Sequence, residues 1–182
     1  MKKLILKSKL HSRDEFELAL DRAGYDLGPI YWQHDRIYLP RGFKRGESFP
    51  RLILRTEMKA VDRPPKYSLI LKRHIEASDL NVENATVIKD YVEAANLVLQ
   101  LGFELSAEVS RKRQEAHLPD GTLIFLDKVE TLPSYYAKIE TVVPDGSNLA
   151  PVRHDLKEIF SLLGLTSSVE ETYAESLLKK PN

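Results

Sequence analysis

The chain has 182 residues, and its 27 Lys and Arg balance its 27 Asp and Glu, so the formal net charge is zero. A general nucleic-acid or membrane-surface binder would normally show a basic excess, so this balance argues against both classes. The absence of cysteine excludes disulfides and cysteine-ligated metal sites. Because no apolar run has signal-peptide or transmembrane length, we expect a cytoplasmic protein with one domain over residues 1–182.

The first part of the chain predicts a strand, a helix and a second strand. Residues 4–10 alternate as a strand, with leucines on one face and lysines on the other. A capping box, Ser12 to Glu15, opens a helix, and Gly24 is suited to end it. Aromatic residues indicate a strand over 31–39, and the glycines and prolines of 40–50 indicate a loop.

Two further strands are predicted at residues 51–58 and 67–73, and each has one charged face. Arg55 shares its face with Arg51, Ile53 and Glu57. Lys72 shares its face with Ser68 and Ile70, because side chains two residues apart point the same way in a strand.

Residues 76–84 give no clear pattern, and a helix is predicted from about residue 85 to 101. Its apolar face would hold Val87, Tyr91, Ala94, Val98 and Leu101.

Near the C-terminus, a helix that ends at Gly164 is predicted from the apolar stripe of Leu156, Ile159, Phe160 and Leu163. A second capping box at 168–171 opens a short final helix through Tyr173 and Leu177.

A hairpin over residues 109–140 is the strongest local signal, because Asp120 and Gly121 separate two strand-like runs. On its first arm Arg111, Arg113 and Glu115 fall on one face. Burying two arginines is costly unless an anion, water or opposite charge compensates them. Because successive strands have short connections, the element order predicts an antiparallel sheet in an α+β domain.

Six segments in the right order make the chain resemble the CYTH superfamily, which comprises class IV adenylate cyclases, thiamine triphosphatases and related triphosphate tunnel enzymes. The segments are Leu52 to Arg55, Leu69 to Lys72, Leu101 to Phe103, Val109 to Arg113, Leu126 to Leu132 with Lys138 to Glu140, and Tyr173 to Glu175.

The resemblance implies a closed antiparallel β-barrel or tunnel with helices packed outside. It also implies that interior basic residues hold a triphosphate, nucleotide or polyphosphate. The implied phosphate-binding residues are Lys7, Arg55, Lys72, Arg111 and Arg113. Asp127 and Glu140 are the implied ligands of Mg²⁺ or Mn²⁺.

The chain departs from the family pattern where carboxylates should stand. The first-strand motif Glu-x-Glu-x-Lys reads Lys3, Ile5 and Lys7, and the closing Glu-Ile-Glu begins with Lys138. The family's Arg-x-Glu-x-Glu strand before the long helix has no match in this sequence, and Glu83 is the only carboxylate near that position. Hard cations need oxygen ligands, so the replacements weaken the implied metal site. At an effective dielectric of about 20, a unit charge about 4 Å away costs a bound cation about 4 kcal/mol.

Three functions stay open on the sequence. The first is binding of a triphosphate or other phosphorylated anion in a basic tunnel, with catalysis reduced or lost. The second is a metal-dependent triphosphate hydrolase or adenylate cyclase of the CYTH type, which four or more convergent acids in the tunnel would favour and a basic excess would exclude. The third is a non-catalytic structural or interaction module with mutually paired cavity charges. A small phosphorylated ligand is the expected partner, and a homodimer stays open.

Overall fold

In the computed structural model, residues 1–43, 50–60, 62–75, 80–166, 169 and 172–178 are described. They form eight strands and four helices in the order strand, helix, four strands, helix, three strands and two helices. The elements are β1 (Lys2–Lys9), α1 (Arg13–Arg22), β2 (Tyr31–Pro40), β3 (Arg51–Met58), β4 (Lys66–His74), β5 (Leu80–Ile88), α2 (Tyr91–Gln100), β6 (Phe103–His117), β7 (Leu123–Val129), β8 (Tyr135–Val143), α3 (Leu149–Leu162) and α4 (Tyr173–Leu178).

The eight strands close into one barrel in the order β1-β5-β4-β3-β2-β6-β7-β8. Every neighbouring pair is antiparallel. The long pairing of β1 with β8 closes the ring and sets Ile5 opposite Glu140 and Lys7 opposite Lys138. The α+β fold with a closed antiparallel barrel and outer helices is therefore confirmed.

Local signals in the sequence account for most element boundaries. The Ser12 side chain accepts a hydrogen bond from the Glu15 backbone amide, which satisfies one free amide at the start of α1. The turn between β6 and β7 places Gly121 at a φ of 87°, a conformation that a residue without Cβ adopts at little cost. Asp120 stabilises the same turn by accepting a hydrogen bond from the Thr122 amide.

Helices cover two parts of the barrel's outer surface. The first apolar cluster joins α1 and α3 to strands β1, β7 and β8, and its most buried members include Leu4, Leu20, Ile124, Ile139 and Leu156. The second joins α2 to strands β2 and β3 through Tyr38, Leu54, Ala94 and Val98. Among the described residues, no helix has both the length and the apolar character needed to cross a membrane.

The prediction of a helix from residue 85 was wrong at its N-terminal end. Residues up to Ile88 belong to β5, and α2 begins only at Tyr91, with Asp90 as its N-cap. Alternating and β-branched residues in β5 pair with β4, and this tertiary pairing outweighs the helical spacing. Val87 and Leu101 are consequently exposed. Apart from Val169, the second capping box, 168–171, lies outside the described residues.

Replacing Ile124 by alanine should lower the free energy of unfolding by about 2–5 kcal/mol, because it removes a fully buried side chain and leaves a cavity under the helices. Leu18→Ala is the matched control, because Leu18 is 48% exposed on α1. Its effect should stay within about 0.5 kcal/mol. Urea unfolding of both variants tests the comparison, and equal losses would contradict it.

Candidate functional site

The inward faces of the strands enclose a cavity of about 650 Å³. Its described lining contains nine basic side chains, Lys3, Lys7, Arg51, Arg55, Lys59, Lys72, Arg111, Arg113 and Lys138. It also contains six acidic side chains, Asp35, Glu57, Glu83, Glu115, Glu140 and Glu175. All five predicted phosphate-binding residues therefore meet in one cavity, together with Glu140. Asp127 is fully buried behind Arg113 and does not line the cavity.

Asp35 holds two of the predicted phosphate-binding arginines. Its carboxylate accepts two hydrogen bonds from Arg55, at 2.7 and 3.0 Å, and one from Arg111 at 2.6 Å. Arg111 also donates to the Gln33 side-chain oxygen, and Gln33 donates to Glu57 at 2.8 Å. Burial alone would raise the pKa of Asp35, but the two guanidinium groups hold that pKa well below its usual range. Asp35 is therefore ionised and fixes both arginines.

Asp127 holds the third arginine in a fork. Arg113 donates to both carboxylate oxygens at 2.6 Å, and the Tyr173 hydroxyl donates to one of them at 2.9 Å. Burial would raise the pKa of Asp127, but Arg113 lowers it to about 2. The Arg113 guanidinium also lies 4.3 Å from the centre of the Phe125 ring. This set of contacts joins β6, β7 and α4.

Glu140 lies between two lysines, Lys3 and Lys138. Lys3 contacts it at 3.1 Å and Lys138 at 2.5 Å, and Lys3 also contacts Glu83 at 3.3 Å. Burial would raise the pKa of Glu140, but Lys138 and Lys3 hold it well below its usual range. Burial lowers the pKa of Lys138 to about 8, since Arg113 and other nearby cations offset much of the attraction of Glu140.

Lys72 differs from the other cavity cations. It is half-buried, and no described residue forms an ion pair with it within 4 Å. Burial lowers the pKa of its ammonium group, and the charges of Glu83 and Glu140 only partly oppose that change. Lys72 is therefore a half-buried cation without a direct counterion in the described part of the chain.

Helix α4 covers one part of the cavity. Tyr173 and Ala174 are buried against Ile53, Ile70 and Val109. The Tyr173 ring lies 4.7 Å from the Lys7 ammonium and 5.7 Å from the Arg111 guanidinium. Arg51 on β3 donates to Glu175 of α4 at 3.0 Å. The predicted C-terminal motif therefore packs directly against predicted phosphate-binding residues.

The carboxylates in the cavity, and Asp127 behind it, are arranged around cations. Both oxygens of Asp127 and both oxygens of Glu140 already contact basic side chains. The described residues contain no group of three or more His, Cys, Asp or Glu that could hold a metal ion. This donor set does not fit Mg²⁺ or Mn²⁺, which require several oxygen ligands directed at one point. Metal ligation by Asp127 and Glu140 stays a prediction that only a binding measurement tests.

Sequence reasoning missed several members of the site. The aromatic pattern of residues 31–39 predicts a strand but does not identify Gln33 and Asp35 as site residues. Their spacing of two residues places them on one face of that strand. Glu83 had no firm register, because its strand was unassigned. The pairing of Lys72 with Glu83 across β4 and β5 now fixes that register.

The search against protein-family models and the search of curated proteins both found no match to this chain. Solved structures do match. PH1819 from Pyrococcus horikoshii OT3 has a TM-score of 0.84 at 23% identity, over 98% of this chain and 99% of that chain. A candidate adenylate cyclase from Vibrio parahaemolyticus has a TM-score of 0.81 at 19% identity, over 97% of each chain.

A third solved structure is also similar to this chain. HpAC1 from Hippeastrum, described as a candidate adenylyl cyclase with a dominant triphosphatase activity, has a TM-score of 0.62 at 15% identity. The match covers 95% of this chain and 93% of that chain. At these identities the likeness establishes the fold, and the closed-barrel fold that the resemblance implied is confirmed.

Replacing Asp127 by alanine should lower the free energy of unfolding by about 3–5 kcal/mol, because Arg113 would stay buried without its counterion. The double variant Asp127→Leu with Arg113→Met should recover most of the loss, since it removes both charges. Because Asp127 has a depressed pKa of about 2 when folded, its contribution should be present at neutral pH. That contribution should fall as the pH drops from about 4 towards 2.

Urea unfolding at several pH values measures both effects. Equal losses of stability in the single and double variants would contradict the interpretation of Asp127 and Arg113 as a buried ion pair. The same acid sensitivity in Asp127→Ala as in the unsubstituted chain would also contradict it.

Proposed function

We propose that the barrel cavity binds a triphosphate or another multiply charged phosphorylated anion, and that binding does not require a metal ion. The observation that carries the proposal is the excess of nine basic over six acidic side chains in the described lining of a chain with no net charge. A phosphorylated anion supplies the negative charge that this excess lacks. Phosphate oxygens also match the hydrogen-bonding geometry of arginine and lysine.

The carboxylates prepare the arginines for such a ligand. Arg55, Arg111 and Arg113 each use Nε and Nη2 to bond a carboxylate or the Gln33 amide oxygen. No described residue accepts a hydrogen bond from their Nη1 nitrogens. One edge of each guanidinium is therefore fixed, and the remaining nitrogen is available to an anion. Groups already held in place lose less conformational freedom when the ligand binds.

Lys3 and Lys138 supply positive charge at positions where the resemblance would place carboxylates, and Lys72 adds a third ammonium group to the cavity. Lys72 has no direct counterion among the described residues, and Lys138 shares Glu140 with Lys3. An ammonium group can neutralise phosphate oxygens by charge and hydrogen bonds. It does not activate water as a bound metal ion does. The proposal therefore includes reduced or lost catalysis.

Metal-dependent triphosphate hydrolysis is the second candidate. Six carboxylates line the described part of the cavity, although no three of the described acids are grouped so that they could hold a metal ion. The described triphosphatase activity of HpAC1 adds support by analogy of fold. The pairing of these carboxylates with cations favours binding without metal over this alternative.

The first test is isothermal titration with tripolyphosphate and ATP, with EDTA or with Mn²⁺, followed by a phosphate-release assay. We expect binding in EDTA that Mn²⁺ does not strengthen, and no turnover. Binding that needs Mn²⁺ and is followed by phosphate or pyrophosphate release would favour the hydrolase or cyclase. Absence of binding under both conditions would favour a structural or interaction module.

Lys72→Met should weaken tripolyphosphate binding at least tenfold, or about 1.4 kcal/mol, because it removes a cavity cation without a direct counterion. Lys112→Met is the matched control, since Lys112 is exposed on β6 between two inward-facing arginines. That variant has the same overall charge change and should bind like the unsubstituted chain. Equal weakening in both variants would mean that net charge, rather than the cavity, determines affinity.

Anion binding should also weaken as the pH rises through about 8, the pKa of Lys138, because deprotonation removes one positive charge from the cavity. Titrations at about pH 7 and about pH 9 with Lys138→Met as comparison separate this effect from ionisation of the ligand. The Lys138→Met variant should bind the anion more weakly than the unsubstituted chain at the lower pH. Its affinity should not show the part of the decrease at the higher pH that comes from deprotonation of Lys138. The same decrease in the variant would exclude Lys138 as its source.

A further inference from the structure

Glu57 differs from the other carboxylates of the cavity. Each of the other five acidic side chains in the described lining contacts at least one Lys or Arg at 3.3 Å or less. Glu57 has no such contact with any described residue. Lys66, its cross-strand neighbour, is exposed and makes no ion pair with it. Glu57 therefore carries a negative charge into the cavity that no described cation neutralises directly.

Hydrogen bonds place Glu57 beside the proposed phosphate site. Its Oε2 atom accepts a hydrogen bond from Gln33 at 2.8 Å, and the same Gln33 side chain accepts one from Arg111 at 2.8 Å. Arg55 precedes Glu57 by two residues on the inward face of β3, a separation of about 7 Å along the strand. No described residue donates to the second carboxylate oxygen, Oε1. One oxygen of Glu57 is thus fixed, and the other is open to a ligand.

Glu57 lies on the part of β3 that is remote from α4. Helix α4 contacts Arg51 at the start of this strand. The exposed fraction of the basic side chains rises along the strand, from 21% for Arg55 to 56% for Lys59. A ligand with its phosphates at Arg55 and Arg111 therefore extends its remaining part past Glu57 towards solvent.

The neighbouring side chains do not supply a donor for the open oxygen. The Tyr31 hydroxyl donates to Glu115 at 2.9 Å, and Lys59 contacts the same carboxylate at 3.0 Å. Burial raises the pKa of Tyr31, although the charge of Arg113 opposes the rise. The nearby carboxylates of Glu115 and Glu57 raise it further. The tyrosine therefore stays protonated and bonded to Glu115, so a donor for Glu57 must come from water or from a ligand.

We propose that Glu57 selects a phosphorylated organic ligand whose head group carries an amino or ammonium group, which donates a hydrogen bond to the open carboxylate oxygen. The inference rests on the proposed function, because the phosphates hold the ligand beside Glu57. A carboxylate only accepts hydrogen bonds, so a carbonyl group in the same place would face it without a donor. An inorganic polyphosphate long enough to reach Glu57 would bring like charges together. The residue therefore favours one class of ligand and repels two others.

Two pairs of nucleotides isolate the amino group. ATP and ITP have the same phosphates and sugar, but the base of ATP has an amino group where that of ITP has a carbonyl. CTP and UTP differ in the same way. In isothermal titration with EDTA, the unsubstituted chain should bind the amino member of at least one pair about tenfold more tightly, since hydrogen bonds to charged acceptors are the stronger ones. Equal binding within both pairs would overturn the proposal.

Glu57→Gln tests the carboxylate itself. The amide keeps an acceptor for Gln33 and turns the open oxygen into a donor. The variant should lose or reverse the preference for the amino nucleotide. It should also bind tripolyphosphate more tightly, because a negative charge beside the phosphate site is removed. Glu93→Gln is the matched control, since Glu93 is exposed on α2, and it should bind all five ligands like the unsubstituted chain.

Two results with Glu57→Gln would contradict the proposal. One is an unchanged preference for the amino nucleotide. The other is weaker binding of tripolyphosphate, which would mean that Glu57 only supports Gln33 and Arg111.

Tripolyphosphate also separates this inference from the proposed function. If the unsubstituted chain does not bind tripolyphosphate in EDTA, the proposed function fails, and selection by Glu57 fails with it. If the chain binds tripolyphosphate but does not distinguish the members of either nucleotide pair, phosphate binding stands and the inference about Glu57 alone fails.

Discussion

Closure of the barrel is the constraint on which the site depends. Once β1 pairs with β8, no strand edge remains in the ring, and alternate side chains of every strand must point into one enclosed volume. The register then decides which charges meet, because it sets Ile5 opposite Glu140 and Lys7 opposite Lys138. Among the described residues, a chain with no net charge thereby gains a cavity lining with more cations than carboxylates.

Burying these charges costs desolvation free energy, so stability alone does not account for their contacts. A buried ion pair often contributes no more than an apolar pair of the same size, because both charges lose their hydration. The contacts of Asp35 and Asp127 hold three arginines in fixed orientations. Apolar replacements would close the cavity and remove that order. Under the proposed function, the carboxylates are retained because they position the cations for an anion.

The sequence predicted those parts of the fold that depend on local alternation and turn chemistry. The hairpin around Asp120 and Gly121 and the charged faces of β3, β4 and β6 are examples. It failed at residues 85–90, where apolar residues at helical spacing belong to a strand whose identity depends on pairing with β4. Cross-strand partners such as Arg113 and Asp127 also depend on register, which a single strand does not reveal. The resemblance to the family identified five basic residues that do line one cavity. It could do so because the motifs of a family reflect how its strands are paired.

Lys3 and Lys138, at positions where the resemblance implies carboxylates, separate two properties that a metal ion combines. Two ammonium groups carry the same total charge as one divalent cation, and both can donate hydrogen bonds to phosphate oxygens. Neither can coordinate a water molecule and lower its pKa, which is how a metal ion produces a nucleophile at neutral pH. Under the proposed function, a cavity with lysines in these positions therefore attracts a phosphorylated anion but has no means of cleaving it. Because Lys138 has a pKa of about 8 beside Glu140, that attraction becomes dependent on pH in a way that a permanent metal charge is not.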